Sequence, residues 1–257
     1  MALNLIVCLK QIPNPDLQFQ ITPDAKDIKR DALNYKINGA DEYALEEAVR
    51  IKEKHGGRVV AISLGPKRTE QMLREAIAKG ADEAIRIASE DPAQYDVGAT
   101  GRILAAAIRT IPHDLVLTGV QSDDLVNSAS GGLIAGILGI CHASVVTRVE
   151  VKDRGLEVAC EIEGGLQRVY ALPLPALLSI QFGANTPRYA PLPAIMKASR
   201  QPIKELAPVT PSLPYSFGVA RLTPPMAKGH AEMITGSVEE QAKKLAQLLR
   251  EKGFVRR

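Results

Sequence analysis

At 257 residues with 46% apolar side chains, the chain is long enough to bury one substantial α/β core, alone or with an extended tail. Its formal charge of +3 is the small difference between 32 basic and 29 acidic residues spread without blocks, which argues against a nucleic-acid binder that tracks phosphates. Cys8, Cys141 and Cys160 are scattered and form no CxxC pair, so a disulfide framework and a zinc site are excluded and a reducing cytoplasm fits.

The N-terminus MALNLIVCLK runs directly into a buried-type strand, and neither a cleavable leader nor an apolar run of the roughly 18 residues a bilayer requires follows it. Secretion and membrane insertion are not expected. Short apolar runs then alternate with amphipathic segments of helical length, the pattern of parallel βαβ units whose sheet is covered on both faces. The strands read as LNLIVCLK from Leu3, RVVAISLG from Arg58, EAIRIAS from Glu83 and DLVLTGVQ from Asp114. A helix beginning near Asp41 carries Ala44, Leu45, Ala48 and Val49 on one side and stops at Gly56 and Gly57. A second runs through TEQMLREAIAKG, a third through VGATGRILAAAIRT, and a fourth follows the strand ending at Gln121. From Ser144 the apolar period drops to two around the turn-like KDRG and EGG, which predicts antiparallel strands at one edge of the sheet, where Pro173 and Pro175 are tolerated. The fold class is therefore α/β, a doubly wound and mostly parallel sheet with added antiparallel strands.

The stretch NTPRYAPLPAIMKASRQPI, Asn185 to Ile203, holds four prolines and predicts a stiff, largely extended loop with one short helical turn near Pro193. Tyr189, Leu192, Ile195 and Met196 are threaded through it, either to pin the loop to its own core or to be presented outside it. Beyond Ile203 the chain is proline-rich to Pro225 and ends in SVEEQAKKLAQLLREKG, a helix with Ser237 as cap and Val238, Ala242, Leu245 and Leu249 along one side. So long an irregular connector fits poorly inside one compact core, which predicts an arm that packs on something else.

Ligands of open α/β sheets bind outside the carboxyl ends of the strands. At that edge QSDDLVNSASGGL follows the strand ending at Gln121, and Ser128, Ala129, Ser130, Gly131 and Gly132 open the next helix. Small residues and a helix dipole suit a phosphate there; a plain serine N-cap fits the same residues. SLGPK, Ser63 to Lys67, and NGADE, Asn38 to Glu42, read either as lining for an adenine or ribose or as ordinary strand-to-helix turns. Catalytic constellations do not assemble: His55, His113, His142 and His230 lie apart, there is no Walker lysine and no GxGxxG, and Glu161 with Glu163 reads as a solvated hairpin. The pattern is a nucleotide binder without catalytic groups.

The run CEIEGGLQRVYALPLPALLSIQFGANTPRYAPLPAIMKA, Cys160 to Ala198, resembles the signature of the beta (small) subunit of electron transfer flavoprotein, and the likeness extends from IVCLKQIPNP through INGADEYALEEAVRIKEK and AISLGP to the C-terminal helix. The resemblance implies a HUP-like, adenine-nucleotide-binding domain over residues 1–184, a partner-recognition loop over 185–204, and an arm over 205–257 that packs on a larger alpha subunit. It implies a non-catalytic electron carrier with AMP buried in this chain and FAD held mainly by the alpha subunit. Acyl-CoA or other flavin dehydrogenases are the implied donors and a quinone-linked oxidoreductase the acceptor, in the cytoplasm of a bacterium or archaeon. Cys8, Asn38, Gly39, Ala40, Asp41, Ser63 and Leu64 would line the AMP, Ser128, Ala129, Ser130 and Gly131 would hold its phosphate, and Gln121 and Ser122 complete the cofactor-binding positions. Leu192 would anchor a dehydrogenase with Tyr189, Ile195 and Met196 beside it, Lys197, Arg200 and Lys204 would steer acidic partners, and Glu161 would face the alpha subunit. Cys160 stands where a basic residue usually precedes that acid, and KINGADE and IPNP lack the aromatics that some relatives set beside the flavin. Two other readings are a bifurcating NADH-using complex with a second FAD in place of AMP, whose acidic-Gly-acidic-Thr loop DDLVNSASGG does not match, and a stand-alone stress-type nucleotide module, against which the hairpins and arm argue.

Overall fold

The computed structural model describes residues 1–30, 33–209, 218–224 and 231–255. The chain divides into two units, Met1–Ala220 and Arg221–Arg257. In the first, β1 (Leu3–Cys8) leads to a small antiparallel ribbon of β2 (Gln11–Pro13) and β3 (Tyr35–Ile37), and then α1 (Gly39–His55), β4 (Gly57–Gly65), α2 (Thr69–Ala78), β5 (Glu83–Ala88), α3 (Val97–Ile108), β6 (Leu115–Gly119) and α4 (Ser130–Leu138) follow. Apart from the β2–β3 ribbon, which the sequence reading did not include, these are the elements the apolar runs predict, and the architecture is α/β. The later strands are β7 (Cys141–Lys152), β8 (Gly155–Ile162), β9 (Leu166–Leu172) and β10 (Ala176–Ile180); α5 (Leu192–Ala198) and β11 (Lys204–Leu206) complete the unit.

One nine-stranded sheet runs β11-β5-β4-β1-β6-β10-β7-β8-β9. Its central strands bury both faces. Leu3, Leu5, Val7, Val59 and Ala61 pack toward Ala44, Leu45 and Val49 of α1, whereas Ile6, Val60, Ile62 and Val116 pack toward Ile103 of α3 and Ile134 of α4. Each fully buried leucine, isoleucine or valine of this kind stabilises the fold by about 2 kcal/mol relative to exposure. Gly57 has to be glycine because its φ is +119° and a Cβ there would collide with the Leu3 backbone.

The second half departs from a simple antiparallel edge. β8 and β9 are antiparallel additions, with KDRG and EGG at their turns, but β10 pairs parallel to β6 on one side and to β7 on the other. The physical reason is burial: all five residues of β10 are buried, which is the habit of a central parallel strand and not of an alternating edge. β11 lies parallel to β5 and closes the opposite edge of the sheet.

The second unit holds α6 (Val238–Glu251). Ser237 forms a capping box, its Oγ accepting from Glu240 N at 3.3 Å while Glu240 Oε2 accepts from Ser237 N at 2.8 Å. At the other end Gly253 at φ +75° lets its own N–H reach Arg250 O and the Phe254 N–H reach Leu249 O, a double-bonded stop. None of the residues of α6 is buried, and Val238 and Leu245 on its apolar side are 82% and 50% exposed.

Candidate functional site

The chain leaves β1 for β4 on one side and returns to β6 on the other, so the carboxyl ends of β1 and β6 flank a topological switch point. Pairing between them covers only Leu5–Val7 with Leu115–Leu117, after which the strands part. The Asp41 carboxylate, from the first turn of α1, bridges that gap: it accepts from Lys10 N at 2.7 Å and from Gly119 N at 3.0 Å. A Cβ on Gly119 would collide with Asp41 Oδ1, so this close approach needs glycine. Burial pushes the Asp41 carboxyl up to about 7 although both amides favour its ionised form. Asn38, which caps α1 by position, donates Nδ2 to Gln121 O at 2.8 Å and accepts from Asp123 N at 2.9 Å. Lys10 Nζ reaches Asp124 at 2.6 Å and Ser122 Oγ at 3.3 Å. The loop after β6 is thereby strapped to β1 and to α1.

The rest of the predicted nucleotide positions gather at the same edge. Cys8 ends β1, buried, its thiol pushed up to about 12 by burial and then by Asp41, which leaves it inert as a nucleophile. Ala40 is fully buried and Gly39 sits against Phe182, whose ring meets Tyr43 edge-on at 5.5 Å. Ser63 near the end of β4 is 1% exposed, and its Oγ has no hydrogen-bond partner among the described residues. A hydroxyl so deeply placed and unpaired calls for an explanation. Leu64, the next residue, turns to the opposite face and packs with the α3 side of the core.

The helix that opens after Ser128 is not capped by serine. Ala129 occupies the N-cap of α4 and no side chain caps the helix, because Ser128 at φ +51° donates its Oγ to Gln121 Oε1 at 3.2 Å. The first amides of α4 therefore remain uncapped at the positive end of the helix dipole. Gly131 lies directly over a small polar network: Thr118 Oγ1 donates to Ser179 Oγ at 3.1 Å, and His142 Nε2 shares that oxygen at 3.0 Å. A Cβ on Gly131 would collide with Ser179 Oγ. Burial lowers the His142 pKa and favours its neutral ring.

A second site lies on the proline-rich stretch. Asn185 Nδ2 donates to Tyr43 O at 3.0 Å and to Glu47 Oε2 at 2.8 Å. The Arg188 guanidinium forks onto Glu46 at 2.8 and 3.0 Å and onto Glu53 at 2.6 and 2.9 Å, and the Arg188 N–H also reaches Glu46 at 3.1 Å. The Glu53 and Glu46 carboxylates raise the arginine pKa further, and Arg188 holds the Glu53 carboxyl below its usual value. Glu47 is raised by burial, with the Asn185 bond opposing. With its entry bolted to α1, the segment passes Tyr189, 96% exposed, and turns into α5, where Ala198 is buried while Leu192 and Met196 are 70% and 59% exposed. Ile195 is exposed as well. These side chains do not pin the loop to its own core; the polar residues do.

The model of the family described as the electron transfer flavoprotein domain matches residues 27–211, a span that holds the proline-rich segment and all of the crevice except the end of β1 with Cys8 and Lys10. The electron transfer flavoprotein subunit beta of Methylophilus methylotrophus is 35% identical over 97% of this chain and 98% of its own length. The chain belongs to the electron transfer flavoprotein beta-subunit family. The subunit beta of Bacillus subtilis is 33% identical over 98% of this chain and all of its own, and the caffeyl-CoA reductase-Etf complex subunit CarD of Acetobacterium woodii is 34% identical over the same spans.

In this beta-subunit relative, Lys197 and Arg200 border Met196 on a shallow surface with Gln201 and Pro202. Glu161, at the end of β8, accepts from Gln181 Nε2 at 3.3 Å and does not join the proline-rich segment. Cys160 beside it is buried with its thiol raised by burial. No helix among the described residues is long and apolar enough to cross a membrane. Sequence reasoning gave no role to Lys10, Asn185 or Arg188. The signal was present, since a lone arginine in NTPRY and the acid-rich face of EEAVRIKE are complementary, but only the fold brings them together.

Proposed function

We propose that this chain is the beta subunit of a heterodimeric electron transfer flavoprotein that binds AMP in the crevice between β1, β4 and the first turn of α4, and docks flavin dehydrogenases through α5. The observation that carries the docking half is the contrast within one segment: Asn185 and Arg188 bonded to α1, and Leu192 70% exposed a few residues later. Placing a side chain such as Leu192 in a partner's pocket is worth about 2 kcal/mol, enough to orient a transient complex that must separate after each transfer.

The residues present fit an adenine mononucleotide. Ser63 offers a buried hydroxyl without a partner among the described residues, and the uncapped amides of α4 suit a phosphate. The Asn38 and Asp41 side chains are engaged within the chain, so this segment would meet the nucleotide through its backbone and through the shape that those bonds fix. FAD, held mainly by the alpha subunit, supplies the redox chemistry when bound. This chain supplies the scaffold and the docking surface, with acyl-CoA or other flavin dehydrogenases as donors and a quinone-linked oxidoreductase as acceptor. The C-terminal arm, with the exposed apolar side of α6, is the part that reaches the alpha subunit, and Glu161 faces it.

The test is co-expression with the alpha subunit, release of bound nucleotides and measurement of flavin reduction by a dehydrogenase. One FAD and one AMP per heterodimer are expected, and two FAD would overturn the nucleotide assignment. Leu192→Ala should slow reduction sharply at unchanged FAD and AMP content; an unchanged rate would remove α5 from the docking surface.

A further inference from the structure

We infer that Arg86, through Glu205, is a positioning residue that fixes the exit of α5 and so sets the pose of the docking side chains; this rests on the docking role proposed for α5. Arg86 lies in β5, 4% exposed, an unusual place for a guanidinium in a strand that otherwise reads EAIRIA. Its Nη1 donates to Gly65 O at 3.1 Å, its Nη2 pairs with Glu205 of β11, and its Nε lies 3.5 Å from Glu70 of α2. One side chain thus ties together the end of β4, helix α2 and the edge strand.

β11 has little else to hold it. It consists of three residues, registered as Lys204 on Ile85, Glu205 on Arg86 and Leu206 on Ile87, at the outer edge of the sheet. Ile203 packs on one face of the sheet and Leu206 on the other, so the segment is oriented but short. A strand of this length is weak without a side-chain anchor. Only residues 199–203 separate β11 from α5, and α5 itself packs on α2, which carries Glu70. The Asn185 and Arg188 clamp fixes the entry of the segment on α1, and the Arg86 clamp fixes its exit on β5 and α2. The two anchors thus hold the segment that carries α5 at both ends before any partner arrives. Preorganisation of that kind spares the ordering cost at the moment of docking.

The two halves of the pair differ in what they can lose. Arg86 is enclosed, and removing Glu205 entirely leaves its charge with Glu70 and Gly65; Glu205 is 54% exposed at its side chain and can be replaced without opening the core. Glu70 is shared with Lys67 at 2.7 Å and Arg74 at 3.1 Å, so it cannot take over the arginine alone.

The experiment uses the full chain assembled with its alpha subunit and carrying its cofactors. For Glu205→Ala, the dehydrogenase's KM for the flavoprotein should rise about three- to tenfold, the size expected when the ordering of about one interface side chain is deferred to docking, while kcat and bound FAD and AMP stay unchanged. Amide exchange should speed up in residues 192–206 and not in β4 or β6. Glu205→Asp should recover part of both effects and Glu205→Gln less. Unchanged KM and unchanged exchange in Glu205→Ala would overturn the inference, and so would exchange rising across the whole sheet, which would make the pair a plain stability element. Leu192→Ala in the same assay separates the levels: if it too leaves KM unchanged, the docking role itself fails, whereas a response to Leu192→Ala without one to Glu205→Ala faults the positioning role alone.

Discussion

Replacing Arg188 by alanine tests the bolt between the proline-rich segment and α1. Glu46 is 7% exposed and receives the Arg188 Nε, one Nη and the backbone amide, whereas Glu53 is 53% exposed and receives the other edge of the fork. The exposed half is worth about 0.2 to 1 kcal/mol. The Glu46 half is worth more, since hydrogen bonds to charged groups contribute about 1.5 to 3 kcal/mol. Because the Arg188 side chain is 32% exposed, water and the surviving backbone amide recover part of that loss, so Arg188→Ala should cost about 2 to 3 kcal/mol in urea unfolding. Arg188→Lys keeps the charge but not the fork and should lose roughly 1 kcal/mol. Acidification supplies an independent check. Arg188 lowers the Glu53 pKa, so that pair contributes stability above the carboxylate's unfolded pKa and loses it as pH falls through the folded value. The wild-type advantage over Arg188→Ala should therefore shrink below about pH 4. A cost under about 0.5 kcal/mol at neutral pH, or an advantage that grows on acidification, would refute the clamp.

Asp41→Asn reverses that sign. The Asp41 carboxyl is raised from 3.8 to about 7, so its contribution is present in full below the unfolded pKa and is lost as pH rises through the folded one. Urea midpoints measured for both proteins from pH 4 to pH 8 should show the wild type losing ground to Asp41→Asn up to about 7 and holding level above it; a wild type that gains on Asp41→Asn as pH rises would contradict the assignment. Gly131→Ala places a methyl group against Ser179 Oγ, and overpacking of this kind costs about 1 to 3 kcal/mol. The same change should displace the first turn of α4 and weaken AMP retention measured by nucleotide release, and unchanged stability with unchanged retention would show that the turn yields freely.

The parallel half of the sheet was legible because LNLIVC, VVAIS and LVLTG are buried on both faces, which makes apolar runs the whole signal. β10 was harder. ALLSI follows two strands of period two, and its return to the sheet interior depends on a crossover that adjacent residues do not encode. β11 was invisible, since three residues of KEL become a strand only where Glu205 finds Arg86 across 119 positions of sequence. At the crevice the sequence located the right edge but not the division of labour. Asn38 and Asp41 turned out to spend their side chains on Gln121, Asp123, Lys10 and Gly119, because burial forces polar groups to find partners within reach. The serine N-cap that the sequence left open as an alternative does not form, because a left-handed backbone at Ser128 aims its hydroxyl at Gln121.

Helix α1 is a 17-residue rod that begins at the Asn38 and Asp41 bonds and, farther along, carries Glu46, Glu47 and Glu53 toward Asn185 and Arg188. Each residue of an α-helix advances about 1.5 Å and turns about 100°. A single residue inserted or deleted between Asp41 and Glu46 would swing the acidic face roughly a quarter-turn away from the arginine while leaving the first turn seated. The rod accordingly fixes a phase as well as a length between the two ends, which bars chain-length changes between them.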